Sequence, residues 1–141
     1  MEEDNAGDDN GSVMESDRRR TPIQDPLTFA IIGAAQKVHR ALGPGFKEST
    51  YQHALEVELN SCKIRFTIQP EFDVIYEGVL CGRYQPDIVV EDRVVLELKA
   101  VSSLADEHVA QAVSYLRASG LPVALLINFG AKSLTWKRFQ N

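Results

Sequence analysis

The sequence predicts an α/β fold in which a mixed β-sheet is flanked by helices. Three observations carry that expectation. Apolar residues recur at helical spacing over 26–42 and 47–62, switch to period two from Ile64 onward, and return to helical spacing over 104–119 before two last strand-like runs. The runs VVLELKA (94–100) and PVALLINF (122–129) are apolar on both faces, as the central strands of a covered sheet must be. A helix separates these two runs, and such a crossover makes them parallel and right-handed. With 44% hydrophobic and 25% charged residues, 141 residues suffice for one domain with one packed core.

The elements follow in order. Residues 1–22 are rich in Gly, Asp, Asn, Glu and Ser and poor in apolar residues, and read as a disordered acidic tail ahead of a single domain at 23–141. The Arg18-Arg19-Arg20 triplet within it reads as a solvated charge run. The first helix covers 26–42, with Asp25 as N-cap, Pro26 at its first position and Gly43-Pro44-Gly45 as its stop. Its expected buried stripe is Phe29, Ile32, Ala35, Val38 and Leu42. The second helix spans roughly 47–62, with Tyr51, Leu55 and Leu59 along one stripe. Strands follow around Ile64–Ile68, Phe72–Tyr76 and VLCGRY, with Glu77-Gly78 as a turn. DIVV and VVLELKA come next, joined by the polar triplet Glu91-Asp92-Arg93. The third helix, about 104–119, closes at Gly120, and SLTWKRF ends the chain as an alternating strand.

Several function classes drop out. No apolar run reaches the roughly 18–20 residues of a membrane span. The N-terminus has no apolar h-region and is too acidic for a transit peptide. Cys62 and Cys81 have no metal-type spacing, which suits free thiols in a reducing compartment, so the expected location is cytoplasmic, or nuclear in a eukaryote. Of the 20 acids and 15 bases, seven acids and three arginines lie in residues 1–20. The remaining 13 acids and 12 bases leave the body nearly neutral, so composition announces no basic nucleic-acid surface.

Within the apolar run VVLELKA, Glu97 and Lys99 stand out, because burying a charge costs several kcal/mol unless it is paired or holds a metal. If the loop between the last two strands of the first run is the triplet centred on Asp92, antiparallel partners have residue numbers summing to 184. Asp87 then sits opposite Glu97 on one face, with Cβ atoms about 5 Å apart, and Lys99 projects from that face too. A two-residue loop shifts the register by one and sends Asp87 to the other face. Two carboxylates that close repel unless one is protonated or a cation lies between them. Such a site suits Mg²⁺, which takes one or two carboxylates plus water and phosphate oxygens. The competing reading is a Glu97–Lys99 ion pair at a sheet edge. On the third helix, His108, Gln111 and Tyr115 form a polar stripe beside the core stripe Val109, Ala112, Val113 and Leu116. Gln111 is placed either to bond a substrate phosphate or to hold Lys99. Spacing alone gives Glu48 the role of a favourable charge at a helix N-terminus and Tyr51 that of a core aromatic with a polar tip.

The segment GFKESTY (Gly45, Glu48, Tyr51), followed by YQPDIVVEDRVVLELKAV, HVAQAVSYL and LLINFGAKSLTWKR, resembles the GxxExxY protein family of the PD-(D/E)XK nuclease superfamily, over residues 25–139. The resemblance implies a restriction-endonuclease-like core with a four-stranded mixed sheet and a metal-dependent deoxyribonuclease site. It implies Asp87 and Glu97 as ligands of Mg²⁺ (or Mn²⁺) with the Leu98 carbonyl as a third. Glu48 would reach the metal through water, Lys99 would act on the nucleophilic water, and Gln111 would complete the catalytic set. Tyr51, His108 and Tyr115 are the implied substrate-contacting residues. The implied partner is nucleic acid, DNA foremost, without a membrane; a homo-oligomer or a partner protein stays open. The alternative is a nuclease-fold nucleic-acid-binding or regulatory subunit with little turnover.

Overall fold

The computed structural model describes residues 14–16 and 25–141. The elements run β1 (Met14–Ser16), α1 (Pro26–Leu42), α2 (Glu48–Ser61), β2 (Phe66–Ile68), β3 (Phe72–Tyr76), β4 (Val79–Tyr84), β5 (Ile88–Val90), β6 (Val94–Lys99), α3 (Asp106–Ser119), β7 (Val123–Asn128) and β8 (Thr135–Gln140). The tail expected over 1–22 lies outside the described residues, apart from β1, which pairs antiparallel with β8.

Local chemistry sets the helix ends as the sequence indicates. The Asp25 carboxylate accepts from Leu27 N at 3.0 Å and from the Thr28 hydroxyl at 3.1 Å, capping α1 behind Pro26. Gly120 closes α3 in the left-handed conformation, φ 71°, which glycine adopts without Cβ strain.

The main sheet has the order β1-β8-β7-β6-β5-β2. β6 and β7 are parallel, joined through α3, and the other pairs are antiparallel, so the sheet is mixed and flanked by helices. On one face, Leu96, Leu98 and Ile127 pack beneath α1 and α2 residues such as Ile31, Ala35 and Leu55. On the other, Val95, Leu126 and Phe139 pack beneath Ala112 and Leu116 of α3. β6 and β7 serve both layers, which is why their sequences are apolar throughout.

Three expectations change. The four strands implied for the sheet become six, because β2 and β1 extend its two edges. The buried stripe of α1 is rotated: Thr28 and Ile31 are buried and Phe29 is 66% exposed. Thr28 can be buried because its hydroxyl is bonded to the Asp25 cap. The alternating strands β3 and β4 do not join the sheet but form a separate two-stranded hairpin, exposed along most of its length. Alternation defines two faces of a strand; it does not say that either is covered.

Candidate active site

The β5–β6 hairpin has the register Ile88↔Leu96, Val89↔Val95 and Val90↔Val94. Its loop is the triplet Glu91–Arg93, turned by left-handed backbone at Glu91 (φ 53°) and Asp92 (φ 54°). The centre is therefore Asp92, and one further step along the ladder sets Asp87 against Glu97. Backbone bonds lock the two acids together: Asp87 N donates to Glu97 Oε2 at 3.2 Å, and Leu98 N donates to Asp87 Oδ2 at 2.7 Å. Glu97 is only 5% exposed.

This setting is hostile to negative charge. Burial foremost, then the Asp87 carboxylate and Glu48, push the Glu97 carboxyl up to about 8 against the opposing pull of the Asp87 N–H and Lys99. Burial also raises Asp87, helped by Glu48 and opposed by the Leu98 N–H and by Lys99. Lys99 forms no ion pair with either acid among the described residues. Its Nζ instead donates to Gln111 Oε1 at 3.3 Å, while Gln111 Nε2 donates to the Tyr115 hydroxyl at 3.2 Å. β6 lies inside the sheet, not at an edge. The reading of Glu97–Lys99 as an edge ion pair is thus corrected: the ammonium is held by an amide, and the acids keep their charge problem.

A family model of the PD-(D/E)XK nuclease superfamily matches residues 25–139. The chain belongs to that superfamily. No curated protein and no solved structure matches it. Pro86 is buried beside Asp87, and Glu97, Leu98 and Lys99 lie on the paired strand β6. Members of the superfamily generally use divalent metals. The donor set here fits one: among the described residues Asp87 Oδ1 and Glu97 Oε1 make no hydrogen bond, and a hard cation prefers such carboxylate oxygens. No three His, Cys, Asp or Glu side chains among the described residues are gathered to metal-binding distance, so Asp87 and Glu97 stand as a pair.

The remaining candidates of this PD-(D/E)XK chain fall into two groups. Glu48, exposed in the first turn of α2, acts on both carboxylates through its charge. Tyr115 lies close enough that Glu97 and Asp87 help raise its phenol, after burial. Tyr51 is a correction to the expected substrate contact, because its ring is fully buried and stacked on Phe129 at 4.7 Å. Its hydroxyl donates to Gly43 O at 2.6 Å and accepts from Phe46 N at 3.1 Å, so Tyr51 holds the loop that delivers Glu48. His108 is engaged as well: its Nδ1 accepts from Ala105 N at 2.9 Å and caps α3.

Two contributors escape a reading of the sequence. Tyr84 stacks between Phe72 (5.3 Å) and Tyr115 (4.3 Å) and donates to Tyr115 O at 2.9 Å, fixing the α3 side of the site. Burial pushes its phenol up to about 12. Asn128, fully buried at the end of β7, grips Val101 through both backbone groups, at 3.0 and 2.9 Å. Gly130 permits that approach: a Cβ there would stand 2.3 Å from Val101 N. Together they set where the chain leaves Lys99 for α3. A lone Asn in an apolar run was the available signal for Asn128; nothing in the sequence marks Tyr84.

Proposed function

We propose that this protein is a Mg²⁺- or Mn²⁺-dependent nuclease that hydrolyses phosphodiester bonds in DNA. The observation that carries the reading is the pairing of half-buried Asp87 with buried Glu97, two carboxyl groups locked together by backbone bonds with an amide-anchored lysine beside them. Asp87 and Glu97 would hold the cation, with Glu48 reaching it through water. When bound, a divalent cation neutralises charge on phosphate oxygens and makes water a better nucleophile. Lys99 orients the attacking water and stabilises negative charge building on the phosphoryl group. Gln111 fixes Lys99, and Tyr115 in turn orients the Gln111 amide, so that its carbonyl faces the ammonium. The spacing of Gly45, Glu48 and Tyr51 supports placement in the GxxExxY branch. Among the described residues no helix is long and apolar enough to cross a membrane.

A specific observation favours the second reading, a nuclease-fold binding or regulatory subunit: the body is nearly neutral, whereas backbone contacts drive nucleic-acid affinity. Incubating the purified full chain with single-stranded, duplex and branched DNA and with RNA, plus Mg²⁺ or Mn²⁺, separates the two. Cleavage that Glu97→Ala and Lys99→Ala abolish is the expected result. Cleavage surviving in both variants would overturn the site. Calorimetric Mn²⁺ binding that Asp87→Ala abolishes, without cleavage of any substrate, would favour the binding subunit.

A further inference from the structure

Phe46 is 49% exposed, yet it is held in place. Its backbone N donates to the Tyr51 hydroxyl at 3.1 Å, and its ring meets the Tyr51 ring in a T-shape, centroids 6.1 Å apart. Tyr51 stacks on Phe129, whose N donates to Lys99 O at 2.8 Å. Three rings thus link the surface to the backbone of the lysine in the candidate site. A single exposed apolar side chain is ordinary on a protein surface. An aromatic ring fixed in this way, two residues before Glu48, calls for a reason.

The charge around Phe46 is of one sign. Segments 40–47 and 129–133 hold three bases, Arg40, Lys47 and Lys132, and no acid. His39 Nε2 donates to Ala131 O at 2.9 Å, and Tyr51, stacked on Phe129, donates to Gly43 O at 2.6 Å, so the two segments lie side by side at the end of β7. All three bases are exposed, and none forms an ion pair among the described residues. The nearby acids belong to other settings. Glu48 acts on Asp87 and Glu97, and Asp106 and Glu107 begin α3, which packs on the opposite face of the sheet from α1 and α2. The near-neutrality of the whole body therefore hides a basic surface next to the site.

We infer that this surface binds an unpaired stretch of a DNA strand, a substrate class that rests on the nuclease function proposed above, with one base stacked on Phe46 and phosphates held by Arg40, Lys47 and Lys132. A single strand asks for basic side chains interleaved with an aromatic ring, because its phosphates take the charge and every base offers a π-face. A duplex keeps its bases stacked inside, so Phe46 would add nothing to its binding. An acidic protein segment would use the charges and leave the ring without a base. A strand held here passes Glu48 on its way to the carboxylate pair, so the protein is expected to cut at or beside unpaired nucleotides.

Fluorescence anisotropy of the full chain with labelled oligothymidylate of about 12 nucleotides, in EDTA so that no cleavage intervenes, is the test. The single strand should bind more tightly than the same strand paired with oligodeoxyadenylate. Phe46→Ala should weaken single-strand binding roughly tenfold, the scale of losing one base stack, and leave duplex binding unchanged. Phe46→Trp should restore it. The bond from residue 46 N to Tyr51 survives truncation, so the alanine variant should melt close to the parent. Lys47→Ala and Lys132→Ala should weaken both ligands, each lowering the log–log salt slope for the single strand by about 0.7. Oligothymidylate that binds no better than duplex, or equally well to the Phe46→Ala chain, overturns the inference, as does no binding at low salt. Polyglutamate bound as tightly as oligothymidylate overturns it too, by making this a general polyanion surface. The nuclease reading fails separately: a chain that stacks single strands through Phe46 and cuts no substrate loses that reading and keeps this surface.

Discussion

The two ends of the β5–β6 hairpin both carry acids, and the protein treats them in opposite ways. At the turn, Glu91 accepts from Arg65 N and from the Arg65 guanidinium, each at 2.9 Å, and these bonds hold its carboxyl below the ordinary range. Arg93, on the same turn, reaches the Asp25 cap at 3.5 Å. At the open end, Asp87 and Glu97 face each other without an arginine, and burial raises both. The backbone ladder is the same; the difference is whether each acid is given a cation from the chain. Where it is, the acid stabilises the fold. Where it is withheld, stability is given up, and on the proposed function this is where an external cation would bind.

The sharpest way to break this contrast is to remove the open end's only fixed ammonium. On the proposed function, Lys99→Ala should lower cleavage by at least about 10²-fold, the scale of losing a positioned proton-transfer or charge-stabilising group. The fold should survive, because Lys99 is half-buried and, among the described residues, its side chain is hydrogen-bonded only to Gln111. Gln111→Ala should lower activity less, since it frees Lys99 without deleting it. Equal losses in a steady-state assay would make Gln111 a participant and not a support.

The second contrast is in pH. Glu97 titrates near 4.5 in an unfolded chain and about 8 in the fold. A raised pKa contributes stability that is fully present below about 4.5 and is lost as pH climbs through about 8. Metal-free protein should therefore lose on the order of 4 kcal/mol of stability between pH 4.5 and 8.5 from this group. Glu97→Gln should flatten that slope in denaturant titrations. At the turn the sign reverses: the lowered Glu91 contributes stability above its ordinary value and loses it on acidification. A parent protein with no slope between pH 5 and 8.5 would show that Glu97 does not feel its burial.

Next in size is Asp25, which serves both the α1 cap and the Arg93 contact. Burial pushes its carboxyl up, but the bonds from Leu27 and Thr28, with Arg93 and Arg138, outweigh this and hold it below the ordinary value. Asp25→Ala should cost about 1–2 kcal/mol in a chemical melt, as N-cap losses do, and should leave cleavage untouched. Asp25→Asn should recover most of it, since the amide oxygen can still accept from Leu27 N.

Much of the open end was legible from residue order. A polar triplet between two apolar runs placed the hairpin centre at Asp92, and the face of Glu97 and Lys99 followed from the strand period. The contact between Gln111 and Lys99 was one of two readings of a polar helix stripe, and the structure selects it. Other features depend on contacts that spacing cannot carry. Phe29 and Thr28 are one residue apart, and a short polar side chain with a local acceptor took the buried place. Tyr84 reaches α3 from a hairpin outside the main sheet, so no local pattern points to it. For Tyr51, spacing indicates a core aromatic with a polar tip and the resemblance a substrate contact; its burial and two backbone partners select the first.

The smallest expected effect lies at the turn itself. Arg65 is mostly exposed, with 72% of its side chain accessible, and its ion pairs with Glu91 (2.9 Å) and Asp92 (3.9 Å) are open to screening. Exposed pairs of this kind contribute little, because solvent weakens the attraction and long side chains lose freedom on pairing. The backbone bond from Arg65 N to the Glu91 carboxylate survives truncation of the side chain. Arg65→Ala should therefore barely move the melting temperature, and that small change should vanish in about 1 M salt. Glu91→Ala removes the acceptor of the backbone bond as well and should be the worse of the two. If Arg65→Ala instead destabilised as much as the loss of the Asp25 cap, the turn would depend on its ion pairs more than on its backbone geometry. The contrast between a satisfied and an unsatisfied end would then rest on charge alone.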